Sequence, residues 1–265
     1  MDAGGIIAAM CSRYASCKTY RDSGCVEGGQ GVMSFRTAFV RNGRFYFGWS
    51  AAGRSTQQAD NAVWSTADGE CFSSHSWMNG QRLERELSLA VAGATGVSQG
   101  VAHYVPVLLM PELGGRSFAT LENSELVGEE MIGDMACAHL TATDNKCSDN
   151  LWIRLSDYAL VKYERIDTLD AKEMQTMLER IEKTFTDPEC LRSAREVLQP
   201  VETLNGELKA DHMAAMLESI AANPKAYMEQ LSTGFKMLSP RDTVTTVTWG
   251  SVIFDSDVED NAFER

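Results

Sequence analysis

The sequence predicts an α+β fold, an antiparallel sheet with helices across one face, on three observations. A tight hairpin with large apolar residues on both sides lies near the N-terminus, and strand-length runs broken by turn residues fill the middle of the chain. From about Leu169 the apolar period changes from two to helical. With 265 residues, 44% of them hydrophobic, the chain is long enough to bury a substantial core.

Residues 3 to 17 allow a short helix, and from Lys18 onward alternation takes over. The clearest strand signal is FRTAFVRNGRFYFGW, Phe35 to Trp49, where Asn42-Gly43 supplies the positive-φ pair of a two-residue hairpin turn. That register places Ala38, Val40, Phe45, Phe47 and Trp49 on one face and Phe35, Phe39 and Tyr46 on the other. Both faces are apolar, so both are expected to be covered.

Two more strands follow, AVWST around Trp64 and CFSSHSW around Phe72, joined by Asp68-Gly69. Next comes a helical pair over about 81–110. Leu83, Leu87, Ala90, Val91 and Ala94 recur at three- and four-residue steps, and Val97, Val101, Val105 and Leu108 continue the spacing until Pro106 and Pro111 interrupt it. Residues 129–167 hold three strand-like runs separated by Thr143-Asp144-Asn145 and Ser156-Asp157, an antiparallel meander. Helical stripes then follow: Met174, Met177, Leu178, Ile181 and Phe185; Met213, Met216, Leu217 and Ile220; Tyr227, Met228, Leu231 and Phe235. Asp187-Pro188 and Asn223-Pro224 punctuate them, and a last strand runs from Thr243 to Asp255. The expected organisation is one sheet-bearing domain, 1–168 with 241–265, and a helical insertion, 169–240.

One motif suggests chemistry. Gly96-Val97-Ser98-Gln99-Gly100 spells G-x-S-x-G, which makes a nucleophile elbow only where a strand enters and a helix leaves. Here a helix enters, so Gly96 is read as the left-handed end of one helix and Ser98 as the N-cap of the next. Cys137, His139 and Cys147 offer three soft ligands without a convincing fourth, so no metal is expected, and a disulfide or buried thiols account for the cysteines instead. Cys17 with Cys25, or Cys137 with Cys147, are close enough to pair across a hairpin; free thiols are the alternative. Glu129, Glu130 and Asp134 read as a solvated strand edge rather than an acid pair. Gly28 to Gly31 lacks the lysine of a phosphate loop, and no cofactor is expected.

Asp and Glu outnumber Lys and Arg by 37 to 24, for a net charge of −13, which argues against binding along a nucleic-acid backbone. No apolar run reaches the ~18 residues of a membrane span. Without a visible signal peptide, the expectation is a cytoplasmic protein, or a periplasmic or envelope protein whose leader has been removed.

Several strings in order, YASCKTYRDSGCVEG, FRTAFVRNGRFYFGW, VWSTADGECF, ATGVSQGVAHYVPVLLMP, LWIRLSDYALVKYERI and VIFDSDVEDNAFE, resemble the LolA-like superfamily of outer-membrane lipoprotein carriers and their relatives. The resemblance covers about residues 8–167 and 243–264; Arg154 stands where an acid is usual, and the helical insertion is additional. It implies a curved, unclosed antiparallel half-barrel whose concave apolar face is covered by helices, and a non-catalytic envelope protein that binds an acyl chain or another elongated apolar molecule. Phe45, Phe47, Trp49, Trp64 and Trp152 from the sheet, and Leu87, Val91, Val101, Val105 and Leu108 from the helical pair, are the expected lining. The same groups could instead pack as a dry core, with residues 169–240 docking a protein partner; that is the competing expectation.

Overall fold

The computed structural model describes residues 1–29, 31–41, 43–54, 59–76, 80–115, 117–143, 147–169, 176, 179–180, 183, 223 and 241–263. The chain divides into two compact units, residues 1–76, 83–167 and 243–265 in the first and 77–82 with 168–242 in the second. In the second unit Thr176, Glu179, Arg180 and Lys183 are helical and exposed, at the spacing of one polar helix face. The remaining stripes of the expected insertion lie outside the described residues.

Helix α1 (Ala3–Ser16) starts at Asp2, whose side chain accepts the Gly5 N–H at 2.8 Å, and buries Ala3, Ile6, Ile7, Met10 and Tyr14 at helical spacing. Eleven strands follow: β1 (Thr19–Gly28), β2 (Gly31–Val40), β3 (Phe45–Ala51), β4 (Asn61–Ser65), β5 (Cys71–Ser74), β6 (Arg82–Glu84), β7 (Ser124–Ile132), β8 (Met135–Thr143), β9 (Cys147–Arg154), β10 (Leu160–Leu169) and β11 (Arg241–Phe254). Two helices, α2 (Leu87–Val97) and α3 (Val105–Leu109), lie between β6 and β7. The strands form one open, curved antiparallel sheet in the order β6-β5-β4-β3-β2-β1-β11-β10-β9-β8-β7. The last strand therefore sits at the centre and joins the N-terminal strands to the meander.

Three expectations change. The hairpin loop has three residues, 41–43: the Val40 N–H donates to the Arg44 carbonyl, and the Gly43 N–H to the Val40 carbonyl. Phe39 then pairs with Phe45 and Phe35 with Trp49, so β2 is turned over relative to the expected register. Phe35, Phe39, Phe45, Phe47 and Trp49 all join the main core, while Ala38 and Tyr46 face the other way. Secondly, residues 82–84 form a strand, and the first helix of the expected pair begins only at Leu87. Thirdly, the meander has a fourth strand, because Gly133 adopts φ 63° and turns β7 into β8. Of the two readings of the cysteines, free thiols hold for Cys11, Cys17, Cys25, Cys71, Cys137 and Cys147. Cys137 and Cys147 alternate onto opposite faces of the β8–β9 pair and cannot be bridged.

Both faces of the N-terminal strands are covered. Helices pack on the inner face, and the C-terminal turn Asp260–Phe263 lies over the outer patch of Ala38, Tyr46 and Ala62. Arg36 Nη1 donates to the Ala262 carbonyl at 2.8 Å, and Arg44 pairs with Asp260 at 2.7 Å while lying over the Phe263 ring. On the inner side a bulge between Ser23 and Gly24 bends β1 against β11. A Cβ at Gly24 would collide with the Thr248 carbonyl oxygen and the Phe35 ring, which is why this position needs glycine.

Candidate functional site

The inner face of β1 to β3 and β11 carries a chain of touching rings: Trp249 edge-on to Phe35 at 5.9 Å, Phe35 stacked on Phe47 at 6.2 Å, and Phe47 beside Trp49 at 5.5 Å. A strap made of α2, the 3-10 turn Val101–His103 and α3 crosses this layer. Val91, Val101, Val105 and Leu108 are buried against it, and Leu87 packs at its margin. Phe45, Phe47 and Trp49 are 1–2% exposed and belong to the same buried cluster as these strap residues.

Trp64 and Trp152 do not join this layer. Trp64 pairs with Tyr46, stacks on Phe72 and belongs to the outer patch. Trp152 is in contact with the main core, yet its register with His139 and Lys162 puts its ring on the outer face. There the His139 ring stacks on it at 4.3 Å and Lys162 Nζ lies 4.0 Å from its centroid, while its Nε1 donates to Glu130. The exposed Glu130 carboxyl is held below its usual range by the hydrogen bond from Trp152 and then by that from His139.

Ser98 is buried, and its hydroxyl oxygen accepts the Ala102 N–H at 3.1 Å. The chain before it is α2, not a strand. The expected N-cap position is corrected: Ser98 is the C-cap residue of α2 and Gly100 the N-cap of the following 3-10 turn, while the Ser98 hydroxyl still satisfies one N–H of that turn. The expected helix end at Gly96 is corrected: α2 runs through to Val97, and the left-handed residues that stop it are Gln99 (φ 53°) and Gly100 (φ 88°). Ser98→Ala is expected to cost about 1 kcal/mol in urea denaturation. Esterase turnover abolished by the same change with the fold intact would reverse this assignment.

Two inward-facing aspartates were not anticipated as site groups. Asp22 sits in the ring layer with no ion pair among the described residues: Tyr20 Oη and Trp249 Nε1 donate to one carboxyl oxygen at 2.8 and 3.1 Å, and the Thr37 N–H to the other at 2.7 Å. Burial pushes its pKa up to about 6, against the pull of these donors. Asp149, on β9, accepts from Tyr163 Oη at 2.5 Å and lies 3.5 Å from Arg165. It borders a polar cavity of about 240 Å³ with Thr120, Leu121, Glu122, Asn123, Ala142 and Thr143. Tyr104 of the strap and Phe118 pack on the Tyr163 ring at 4.8 and 5.3 Å. The signal for both aspartates was available: each is a charged residue at an inward position of an apolar alternation. Among the described residues no group of three or more His, Cys, Asp or Glu side chains is arranged to hold a metal ion.

Side-chain hydrogen bonds tie the strap to its surroundings. Gln99 Nε2 donates to the Gly31 carbonyl at 2.9 Å, and Arg41 Nη1 donates to the Leu109 carbonyl at 2.8 Å. No helix among the described residues is long and apolar enough to cross a membrane.

No family model and no curated protein matches the chain. Among solved structures it is similar to a LolA superfamily protein from Nitrosomonas europaea, at 8% identity and a TM-score of 0.30, over 100% of this chain and 98% of that one. A second similarity, at 12% identity and a TM-score of 0.37, is to the MucA/MucB complex of Pseudomonas aeruginosa, over 64% of this chain and 52% of that one, about half its length. A third is to a DUF1329 family protein from Desulfovibrio piger, at 13% identity and a TM-score of 0.27, over 99% and 96% of the two chains. At scores of this size, no ligand, partner or activity is carried from those proteins to this chain.

Proposed function

We propose that the chain is a non-catalytic binding protein of the cell envelope that takes an acyl chain or another elongated apolar molecule between the ring layer and the α2–α3 strap. The observation that carries this reading is the make-up of the strap. Helix α2 has no charged residue, and it contains Gly93 and Gly96, both exposed. A Cβ added at either glycine would meet nothing within 4 Å, so neither is required by close packing. Each weakens the helix by about 1 kcal/mol relative to alanine. Two left-handed residues and Pro106 then break the strap into short pieces. A cover that is apolar beneath and broken into short, glycine-weakened helical pieces can lift from the rings. The envelope location rests on the sequence resemblance.

The closed interior defines the competing reading, in which the rings are a permanent core and the protein acts as an interaction module. Uptake of a fluorescent fatty acid by the folded protein separates the two. Under the binding reading Val101→Trp, which fills the space under the strap, should abolish uptake, and Gly93→Ala with Gly96→Ala should raise stability by about 1–2 kcal/mol while slowing uptake. A wild-type protein that takes up no probe and carries no extractable lipid after native purification would leave only the core.

A further inference from the structure

We propose that the free edge of β7 receives an extended, basic peptide segment as an added strand. This is independent of any ligand under the strap. Strand β7 ends the sheet, paired only with β8 among the described residues. A terminal strand turns every second set of backbone N–H and C=O groups away from its one neighbour, and such an edge templates another strand unless it is blunted. This one is long and carries neither proline nor lysine, and its bulge is confined to Val127. It is also largely open to solvent: only Ser124, Gly128 and Ile132 are half-buried, Ile132 against the main core, and every other residue of β7 is exposed. By contrast, six of the seven residues of β3 are buried.

What the edge shows to solvent is specific. Leu126, Val127 and Met131 are exposed by 43%, 57% and 62%. Leu126 and Met131 pair with Leu140 and Ala136 and so share the inner face, on either side of Glu129. Glu122, Glu125, Glu129, Glu130 and Asp134 fall within 122–134, a stretch with no Lys or Arg. Glu130 is engaged by His139 and Trp152, but no side-chain hydrogen bond or ion pair holds Glu125 or Glu129 among the described residues. A strand that docked here would gain main-chain hydrogen bonds along the edge, apolar contact at Leu126 and Met131, and charge pairing if its remaining side chains were Lys or Arg.

Charge also decides between occupants. In a second copy of this chain paired through β7, each strand would bring Glu125, Glu129 and Glu130 and no cation to the new ladder, and like charges brought together across a strand pair destabilise it. The basic peptide has the opposite sign at the same positions.

The test uses the full chain and a fluorescein-labelled peptide in which Lys alternates with Val and Thr, beside a twin with Glu in place of Lys. Anisotropy should show the Lys peptide binding and the Glu peptide not. Affinity should fall about tenfold or more between 50 and 300 mM salt, and again in the exposed double variant Glu125→Lys, Glu129→Lys. Hydrogen exchange should slow over 124–132 when the Lys peptide is present. The proposal is overturned if the Lys peptide does not bind, if the double variant binds it equally well, or if protection falls elsewhere. Protection of 124–132 that grows with protein concentration alone would overturn it in favour of a second copy.

Discussion

Replacing Arg41 with methionine is expected to lower the unfolding free energy by about 3–4 kcal/mol, as read by urea denaturation. Arg41 is the first residue of the three-residue hairpin loop, and its guanidinium reaches three backbone carbonyls: Nε to Cys17 at 2.9 Å, Nη1 to Leu109 at 2.8 Å and Nη2 to Tyr14 at 2.8 Å. Two of these oxygens close the last turn of α1 and the third ends α3, so one cation satisfies carbonyls that both helices leave unpaired and sits at the negative end of each. It also lies over the Phe39 ring, 4.8 Å from the centroid. A hydrogen bond to a charged group contributes about 1.5–3 kcal/mol, and three bonds sharing one group fall short of additivity. Methionine keeps most of the packing and removes the donors. Lysine should recover little, because a point charge cannot serve three separated oxygens at once. A loss under 1 kcal/mol in Arg41→Met would mean that water replaces the guanidinium, and that the sheet, α1 and the strap are not joined at this point.

Arg41 also shows where the sequence was legible and where it was not. The hairpin was evident from Asn42-Gly43 and the aromatic alternation around it, but its register was not. Asn-Gly suits a two-residue turn, but Gly43 is not among the left-handed glycines of this structure, and its N–H closes back on the Val40 carbonyl within the longer loop. Burial favours the longer loop: it collects Phe35, Phe39, Phe45, Phe47 and Trp49 on one face, where each ring contributes a large buried area. The same slip placed Arg41 in the loop, its N–H still donating to the Lys18 carbonyl at 2.8 Å, where its side chain clamps the helices. The central place of β11 was hidden for a related reason, since a strand following the long 169–240 stretch carries no local mark of its neighbours. Trp64 and Trp152 were grouped with the lining because tryptophan is large and apolar, whereas their faces follow from registers fixed by partner strands. The helical strap was legible from periodicity, its ends less so. Gln99, which stops α2, is a left-handed non-glycine residue that no propensity would single out.

The buried carboxylate of Asp22 should make stability depend on pH in a sense opposite to that of a paired surface acid. Its folded pKa is raised from 3.8 to about 6, chiefly by desolvation among the rings. The folded state therefore holds the Asp22 proton more tightly than the unfolded chain does. The resulting stabilisation is complete below the unfolded value near pH 4 and is lost as pH rises through about 6, a change of about 3 kcal/mol. Asp22→Asn removes the titration and keeps one carbonyl oxygen for the Thr37 N–H or the Trp249 Nε1. Other acids contribute their own pH dependence, so the quantity to follow is wild type minus Asp22→Asn, in urea unfolding from pH 3.5 to 7.5. That difference should fall by about 3 kcal/mol across the interval and level off near pH 7. A flat difference would show that the three donors fully offset burial, leaving Asp22 charged in the ring layer at all pH values above the ordinary carboxylate range. The distinction matters for the proposed ligand, because a neutral Asp22 leaves an uncharged face beneath the strap, whereas an ionised one sets a negative charge against any apolar chain that enters. Fatty-acid uptake should therefore be stronger at pH 5 than at pH 7.5 in the wild type, and that gap should shrink in Asp22→Asn.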